Sequence, residues 1–235
     1  MRKIFLLVAI AAAIFMVGTP KADAYLVTVD WHAGYQSGSG GEFSLTPLNG
    51  LGFVLNWYDA KAKYPYPALP NQASIAFETF CLEKTEYVSK GTFVAGLNDR
   101  AVWGSVGPTG DPLSQGAAWL YEEFAEGKLA GYDYDVGSDR EASADALQRT
   151  IWWLEGEGDD PGAENIFRQA VVSKFGNETN AMLDNNGQFR AMVLNLYYTD
   201  GTRAQDQLVY WVPEPGTLLL LGLGLLGIAG VRRKI

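Results

Sequence analysis

Cys81 is the only cysteine of the chain, and it lies in the segment TFCLE at 79–83. A single thiol cannot close a disulfide within the chain, and an exposed thiol in an oxidising compartment is prone to oxidation or dimerisation. We therefore expect Cys81 to be buried or bonded to another group. Packing as a small apolar side chain is its simplest use, and nucleophilic attack on a neighbouring carbonyl is its chemical one.

A glutamine on an apolar helical stripe is the second residue whose position suggests chemistry. Gln148 shares the helical spacing of Ala144, Leu147 and Ile151, so its amide is expected to point into the core. Burial of an amide costs free energy unless the amide is hydrogen-bonded or reacts. A sulfur held rigidly against this carbonyl would have the effective concentration needed for intramolecular attack. A hydrogen bond to a neighbouring carbonyl would satisfy the amide equally well.

These two segments together resemble the thioester domains of bacterial surface adhesins. The second segment is LQRTIW at 147–152, where those domains usually carry a glutamine followed by a small residue, an aliphatic residue and tryptophan. Thr150 stands where alanine is common. The resemblance implies that the sulfur of Cys81 attacks the side-chain carbonyl of Gln148, releases ammonia and leaves a reactive thioester.

Such a bond needs protection from water, and three aromatic side chains lie close to it in sequence. Phe80, Trp152 and Trp153 are expected either to shield the bond or to serve as ordinary core. The thioester would form without a cofactor and react once, so the protein is not expected to be an enzyme. Its partner would carry an amine or a hydroxyl group.

Other catalytic chemistries have weaker support. His32 is the only histidine and has no GxSxG motif beside it, which disfavours a catalytic triad. Zinc would need more cysteine and histidine than the chain contains. The acidic residues at 155–160 lack the spacing of an EF-hand loop. We expect neither a metal nor a cofactor.

The C-terminal tail has three ordered parts: a Pro-Glu-Pro box, an apolar run at 217–231 and a basic end. The box is Pro213, Glu214 and Pro215, and the basic end is Arg232, Arg233 and Lys234. The fifteen residues of the run reach about 22 Å as a helix, short of the ~30 Å hydrocarbon core, which predicts a marginal and transient transmembrane helix. The basic end is expected to stay in the cytoplasm.

This layout resembles the PEP-CTERM sorting signal of bacteria that export exopolysaccharide. In that family an intramembrane exosortase cuts near the box. The resemblance implies an exosortase as partner, an inner-membrane intermediate held by the tail at 213–235, and a final location on the cell surface or in the extracellular matrix. An ordinary single-pass tail anchor is the alternative.

The N-terminus has the pattern of a secretory signal peptide. A basic start precedes an uncharged run at 4–17, and Ala22 and Ala24 supply the small residues of a cleavage site. The pattern predicts a signal helix, export through the Sec machinery, and removal of residues 1–24 by signal peptidase.

The body at 25–212 is strongly acidic, with 12 basic and 25 acidic residues. This charge repels nucleic acid and anionic lipid, so neither is expected as a lasting partner, whereas basic groups are. Aromatic residues are frequent, and exposed rings at 57–58 and 64–66 could stack on sugar rings. Non-covalent binding of exopolysaccharide is therefore the alternative function.

The body is predicted to be a single α+β domain, a sheet or barrel with helices inserted after its early strands. The hydrophobic period changes from that of strands to that of helices after Ser114. The predicted strands lie at 25–31, 51–58, 73–83, 86–97, 188–199 and 207–212, with 73–83 paired to 86–97 and the last two forming a hairpin. The predicted helices begin at 114, at Ser138 or Asp139, and at 163.

Overall fold

The computed structural model describes residues 25–38, 40–49, 57–65, 76–102 and 110–211. Four sequence predictions lie outside these residues: the signal peptide with its cleavage site at Ala22 and Ala24, the Pro-Glu-Pro box, the apolar run and the basic end. Within the described ranges, no helix has both the length and the apolar character needed to span a membrane.

Seven strands form one antiparallel sheet in the order β3-β4-β2-β1-β5-β8-β9, and two short strands form a separate ribbon, β6-β7. The strands are β1 (Tyr25–Asp30), β2 (Phe43–Pro47), β3 (Lys63–Tyr64), β4 (Ala76–Thr79), β5 (Gly91–Asn98), β6 (Arg100–Ala101), β7 (Asp111–Pro112), β8 (Ala191–Tyr197) and β9 (Gln207–Tyr210). Every residue of β2, β4 and β9 is buried. Both faces of these three strands are therefore covered by other parts of the fold.

The sheet closes on itself through the three residues that follow β4. In this closing segment (80–82), the carbonyl of Phe80 accepts a hydrogen bond from Leu208 N at 3.0 Å, and Leu82 N donates to the carbonyl of Asp206 at 3.1 Å. Cys81 lies between them, opposite Gln207. The residues after β4 thereby join β9, while β3 stays the outer strand beside the start of β4, so the sheet curls into a barrel-like ring.

Four α-helices of the described part of the chain cover this ring: α1 (Gln115–Ala125), α2 (Ser138–Leu154), α3 (Ile166–Phe175) and α4 (Glu178–Ala181). The Ser114 side chain caps α1 by accepting from Ala117 N, and the Asn165 side chain caps α3. Gly176 ends α3 in the left-handed region, with φ of 83°, a conformation that favours glycine. Helix α1 packs against β8, β9 and α2.

The α+β prediction is confirmed, and so is the terminal hairpin, because β8 pairs with β9. The predicted pairing of 73–83 with 86–97 is wrong: β4 pairs with β2 and β3, whereas β5 pairs with β1 and β8. The strand β2 was not predicted, although its sequence FSLTP alternates apolar and polar residues. Residues 51–56 of a predicted strand lie outside the described ranges. The N-cap of α2 is Gly137 rather than Ser138 or Asp139.

Two carboxyl groups meet beside the closing segment. The carboxylate of Glu83 accepts a hydrogen bond from Asp206 N at 3.1 Å, and the Asp206 carboxyl accepts one from Val102 N at 2.8 Å. Burial, followed by the Asp206 charge, raises the pKa of Glu83. Burial also raises the pKa of Asp206, against the effect of its hydrogen bonds. The ring therefore closes beside acids that hold protons more tightly in the folded chain than in the unfolded one.

This linkage predicts that stability falls as pH rises. Between the ordinary carboxyl pKa and the raised folded pKa, the folded chain binds more protons than the unfolded chain, so deprotonation on going from about pH 5 to about pH 8 favours unfolding. Chemical denaturation of the mature protein at several pH values measures this slope. The variant Glu83→Gln is expected to show a smaller fall of stability with pH than wild type. The control variant Asp139→Asn, which removes an exposed carboxyl group, should keep the wild-type slope. A stability that rises with pH, or an equal slope in both variants, would contradict the linkage.

Candidate functional site

The structure places the two residues singled out in the sequence in direct contact. The Cys81 Sγ atom lies 3.2 Å from the Oε1 atom of Gln148, and each residue is only 1% exposed. Cys81 comes from the closing segment, and Gln148 comes from the third turn of α2. The thiol is unbonded here and donates to the amide oxygen.

Three hydrogen bonds fix the orientation of the Gln148 amide. Its Oε1 atom accepts from Gly41 N at 3.0 Å and from Cys81 N at 3.2 Å. Its Nε2 atom donates to the carbonyl of Cys81 at 2.7 Å. Because a carbonyl faces the nitrogen and two N–H groups face the oxygen, only one assignment of the amide satisfies every partner.

Two backbone N–H groups aimed at one carbonyl oxygen have the geometry of an oxyanion hole. When a nucleophile adds to such a carbonyl, negative charge develops on the oxygen, and fixed donors stabilise that charge without reorganising. The donors of Gly41 and Cys81 are backbone groups held by the loop before β2 and by the closing segment. The arrangement would stabilise the charge that develops if a nucleophile added to the Gln148 carbonyl.

The thiol is held in its neutral form. Burial, followed by the charge of Glu83, raises the pKa of Cys81, and the backbone N–H groups of Gly41 and Cys81 oppose this only in part. The indole of Trp152 also lowers the pKa of the thiol, although its Nε1 meets no acceptor in hydrogen-bond geometry within the described residues. The site thus contains a protonated thiol beside a carbonyl oxygen that accepts two backbone N–H bonds.

A glycine pair covers the amide. A methyl group added at Gly40 would lie 2.7 Å from the Cγ atom of Gln148 and 2.9 Å from Cη2 of Trp152. One added at Gly41 would lie 2.1 Å from the Phe80 ring. Only glycine lets the backbone approach this closely, so these two positions bring the Gly41 donor to the amide.

The aromatic side chains expected around the site are all buried. Phe80 is fully buried, and Trp152 and Trp153 are 8% and 7% exposed. Phe80 packs edge-on against Phe124 with ring centroids 5.1 Å apart. Trp153 packs beneath the Arg168 guanidinium. Phe80 and Trp152 also meet the glycine pair, so these two rings exclude water from the amide.

A buried ion pair holds the glycine pair against α2. Glu42 directly follows Gly41, and its carboxylate binds Arg140 through two bonds, Nε to Oε1 at 2.8 Å and Nη2 to Oε2 at 2.7 Å. Arg140 lies eight residues before Gln148 on the same helix. Both members of the pair are nearly inaccessible to solvent. The pair therefore links the loop that supplies the Gly41 donor to the helix that carries the amide.

Neighbouring groups satisfy the rest of this ion pair. Arg140 also donates to the carbonyls of Tyr134 at 2.5 Å and Lys61 at 3.1 Å, and the Tyr132 hydroxyl donates to Glu42. Burial and the adjacent Glu42 carboxylate raise the pKa of Glu78 well above its ordinary value. Glu78 is thus neutral and adds no second negative charge beside Glu42.

Comparison with known proteins bears on the tail rather than on this site. Residues 212–234 match the family of the PEP-CTERM protein-sorting motif. The chain carries a PEP-CTERM sorting signal. The motif marks an exosortase-targeted protein that is exported to the cell surface or the extracellular space. Neither the curated proteins nor the solved structures contain a match to the chain, so the thioester stays a prediction for this PEP-CTERM protein.

The aromatic residues considered for sugar stacking divide into exposed and buried ones. Trp57 is 48% exposed, whereas Tyr58 is buried. The Tyr58 hydroxyl lies 2.7 Å from that of Tyr121. The prediction that Tyr58 stacks on a glycan is therefore wrong. Tyr64 stacks on His32, with ring centroids 3.8 Å apart. Tyr66 lies outside the described residues.

The acidic segment after α2 does not form a metal site in the part of the chain that the structure describes. Glu155 is buried, and its Oε1 atom accepts from the Ser114 hydroxyl at 2.6 Å. Burial raises the pKa of Glu155 to about 8. Asp160 pairs with Arg168 at 2.7 Å. Glu155 therefore binds the N-cap residue of α1, and Asp160 binds a residue of α3.

Sequence reasoning missed the glycine pair and the ion pair. Arg140 occupies the same helical stripe as Ala144 and Gln148, so a charged residue on a buried stripe was the available signal. Its partner Glu42 and the Gly41 donor lie about 100 residues earlier, and no local pattern connects them to the helix. Only the folded chain brings them together.

Removal of the buried arginine is expected to be far more costly than removal of an exposed one on the same helix. Arg140→Gln leaves the Glu42 carboxyl in the core without its cation, which should lower the free energy of unfolding by about 3–5 kcal/mol. Arg149 is 62% exposed and binds Asp145 one turn away, so Arg149→Gln should cost about 0.5 kcal/mol or less. Urea denaturation measures the free energy of unfolding of both variants. Equal losses would show that the Arg140–Glu42 pair does not stabilise the fold more than an exposed ion pair does.

A methyl group at Gly41 is expected to displace the donor from the amide. In Gly41→Ala the new group meets the buried Phe80 ring, and such overpacking should cost about 1–3 kcal/mol. Gly96→Ala is the matched control, because that position in β5 has open space around it and should change stability by less than about 1 kcal/mol. The same denaturation experiment compares them, and a neutral Gly41→Ala would mean that the loop does not press on Phe80.

Proposed function

We propose that this exported protein forms an internal thioester between Cys81 and Gln148 and uses it for covalent, adhesin-like attachment to a partner that carries an amine or hydroxyl group. The observation that carries the proposal is the Gln148 amide, which lies against Sγ of Cys81 while two backbone N–H groups hold its oxygen. A glutamine needed only for packing would not require an activated carbonyl beside the single thiol of the chain.

Formation of the bond is balanced without a cofactor. The Cys81 sulfur attacks the Cδ atom of Gln148, and the developing charge on Oε1 is stabilised by the N–H groups of Gly41 and Cys81. The C–N bond then breaks, the thiol proton passes to the departing nitrogen, and ammonia leaves. Because the thiol starts neutral, it carries this proton to the amide, where it lies on the Oε1 side in the structure and moves to the nitrogen during the reaction.

Attachment reverses the roles of the two side chains. The amine of a partner adds to Cδ of Gln148, the Sγ–Cδ bond breaks, and the sulfur recovers a proton as a thiol. An amide then joins Gln148 to the partner, and the reaction does not repeat. The buried aromatic rings and the glycine pair would slow the competing attack by water.

The export route completes the proposal. Residues 1–24 direct the chain to the Sec machinery and are removed by signal peptidase, and the apolar run at 217–231 holds an inner-membrane intermediate until the exosortase acts. The acidic body would then face exopolysaccharide and other surface molecules. Binding of exopolysaccharide without a covalent bond is the second candidate, which the exposed ring of Trp57 favours.

The first test is the intact mass of the mature protein. Wild type is expected to be lighter than its calculated mass by about 17 Da, the ammonia lost on bond formation. Cys81→Ala and Gln148→Glu should each have full mass, and Arg149→Gln, changed at the adjacent but exposed residue, should keep the deficit. Methylamine should remove the deficit and label Gln148 in wild type and in Arg149→Gln, and it should label neither Cys81→Ala nor Gln148→Glu.

Full mass in wild type, together with complete alkylation of Cys81 after unfolding, would show that no thioester forms and that Cys81 only packs in the core. Retention of the protein by matrix polysaccharide would then be measured in Trp57→Ala and Cys81→Ala. Loss in the first variant alone would favour the non-covalent candidate.

A further inference from the structure

A cleft lies at the opposite end of β9 from Cys81. Cys81 is opposite Gln207, the first residue of β9, whereas the cleft includes Trp211, which directly follows the last residue of that strand. Its volume is about 340 Å³, within the range for ligand sites. Its lining includes Arg100, Asp184, Asn186, Phe189, Arg190 and Trp211. We name it the Trp211 cleft.

The loop between α4 and β8 forms one wall of the cleft, and a buried side chain fixes this loop. Asn185 is 7% exposed. Its Nδ2 atom donates to the carbonyl of Phe189 at 3.0 Å, and its Oδ1 atom accepts from Phe189 N at 2.8 Å. Its backbone N–H donates to the carbonyl of Leu113 at 2.8 Å. The wall is therefore formed before a ligand binds, which lowers the entropic cost of binding.

A partly exposed apolar surface forms another part of the lining. Trp211, Met192 and Phe189 are half-buried and pack against the core. Trp211 N donates to the carbonyl of Arg190 at 2.7 Å, so these two residues lie side by side where β8 begins and β9 ends. Phe189 packs edge-on against Phe175, with ring centroids 5.9 Å apart. The core thus holds these apolar side chains in place while they line the cleft.

Four charged residues line the cleft, and two of them neutralise each other. Arg100 Nε binds Asp99 Oδ1 at 2.8 Å. Asp184 and Arg190 are both exposed, and no ion pair to either occurs in the ranges that the structure describes. The Arg190 guanidinium donates to the Tyr210 hydroxyl at a long distance of 3.4 Å. The cleft therefore offers one carboxylate, which only accepts hydrogen bonds, and one guanidinium, which only donates them.

This combination of groups matches a neutral sugar. Adjacent hydroxyl groups both donate and accept, so one sugar ring can bond a carboxylate and a guanidinium at once, while its C–H faces pack on aromatic rings. An apolar ligand would leave both charges desolvated and unpaired. An anionic polymer would meet Asp184 and the acidic body, which has 12 basic and 25 acidic residues. A small zwitterion would leave the apolar surface uncovered.

We propose that the Trp211 cleft binds a neutral polysaccharide through one of its sugar units, with Asp184 and Arg190 as the polar contacts and Trp211 as part of the apolar one. This inference rests on the second candidate function, non-covalent glycan binding, and does not require the thioester. It assigns that function a site other than Trp57 and an uncharged ligand.

The test is the affinity of the mature protein for oligosaccharides, measured by isothermal titration calorimetry. Cellohexaose, maltohexaose and mannohexaose are neutral probes that differ in linkage and in the orientation of their hydroxyl groups. Hexagalacturonate is an anionic probe of the same length. Wild type is expected to bind at least one neutral probe, and to bind it more tightly than hexagalacturonate. Cys81→Ala should bind as wild type does.

Two substitutions in the cleft have matched controls on α2. Asp184→Asn and Arg190→Gln each remove one charge and should weaken binding of the neutral probe about tenfold. Asp139→Asn and Arg149→Gln make the same changes at exposed positions outside the cleft and should bind as wild type does. Because all four side chains are exposed, each variant is expected to keep the fold of wild type.

Each contrary outcome has its own meaning. Absence of binding to all three neutral probes would overturn the second candidate and the cleft with it. Equal affinities in the cleft variants and their controls would overturn the cleft, and a loss in Trp57→Ala would then place the glycan at Trp57. Tighter binding of hexagalacturonate would overturn the choice of a neutral sugar. The mass deficit is measured independently of these affinities, so failure of the cleft and failure of the thioester are distinguishable.

Discussion

The hydrogen-bonded amide of Gln148 joins three parts of the chain that are distant in sequence. Its oxygen holds the loop before β2 through Gly41, and both ends of the amide hold the closing segment through Cys81. Because a buried amide that loses a partner costs about 1–3 kcal/mol, none of the three parts can shift alone. Closure of the sheet and docking of α2 are therefore coupled at the same point.

Buried polar groups reinforce this coupling at two other places. Arg140 and Glu42 connect α2 to the residue after Gly41, and Glu83 meets Asp206 where the sheet closes. Both contacts exist only in the closed fold, so each favours it over arrangements in which the loop or the closing segment has moved away. Polar contacts thus specify the position of the amide within a core whose apolar packing alone would tolerate small shifts.

The same burial that holds the amide also determines how the sulfur behaves. A neutral thiol in a dry site resists the oxidation that an exposed cysteine would suffer outside the cell. The N–H groups of Gly41 and Cys81 bond the neighbouring carbonyl oxygen, and the aromatic cover limits access by water. Under the proposed mechanism, the reactive bond would therefore stay covered while the protein is delivered to the surface by its C-terminal motif.

The sequence by itself determined the sorting motif, the α+β class, the terminal hairpin and the inward direction of Gln148, because each depends on a local pattern of residue types. It also marked Cys81 as a residue needing explanation, since no second cysteine exists. Only the tertiary structure decided that β4 joins β2 and β9 rather than β5, and that Gly41 and Glu42 meet the helix of Gln148 across about 100 residues of chain. Strand order and long-range polar contacts depend on which buried surfaces and hydrogen-bonding groups fit together in three dimensions, and no short window of sequence contains that information.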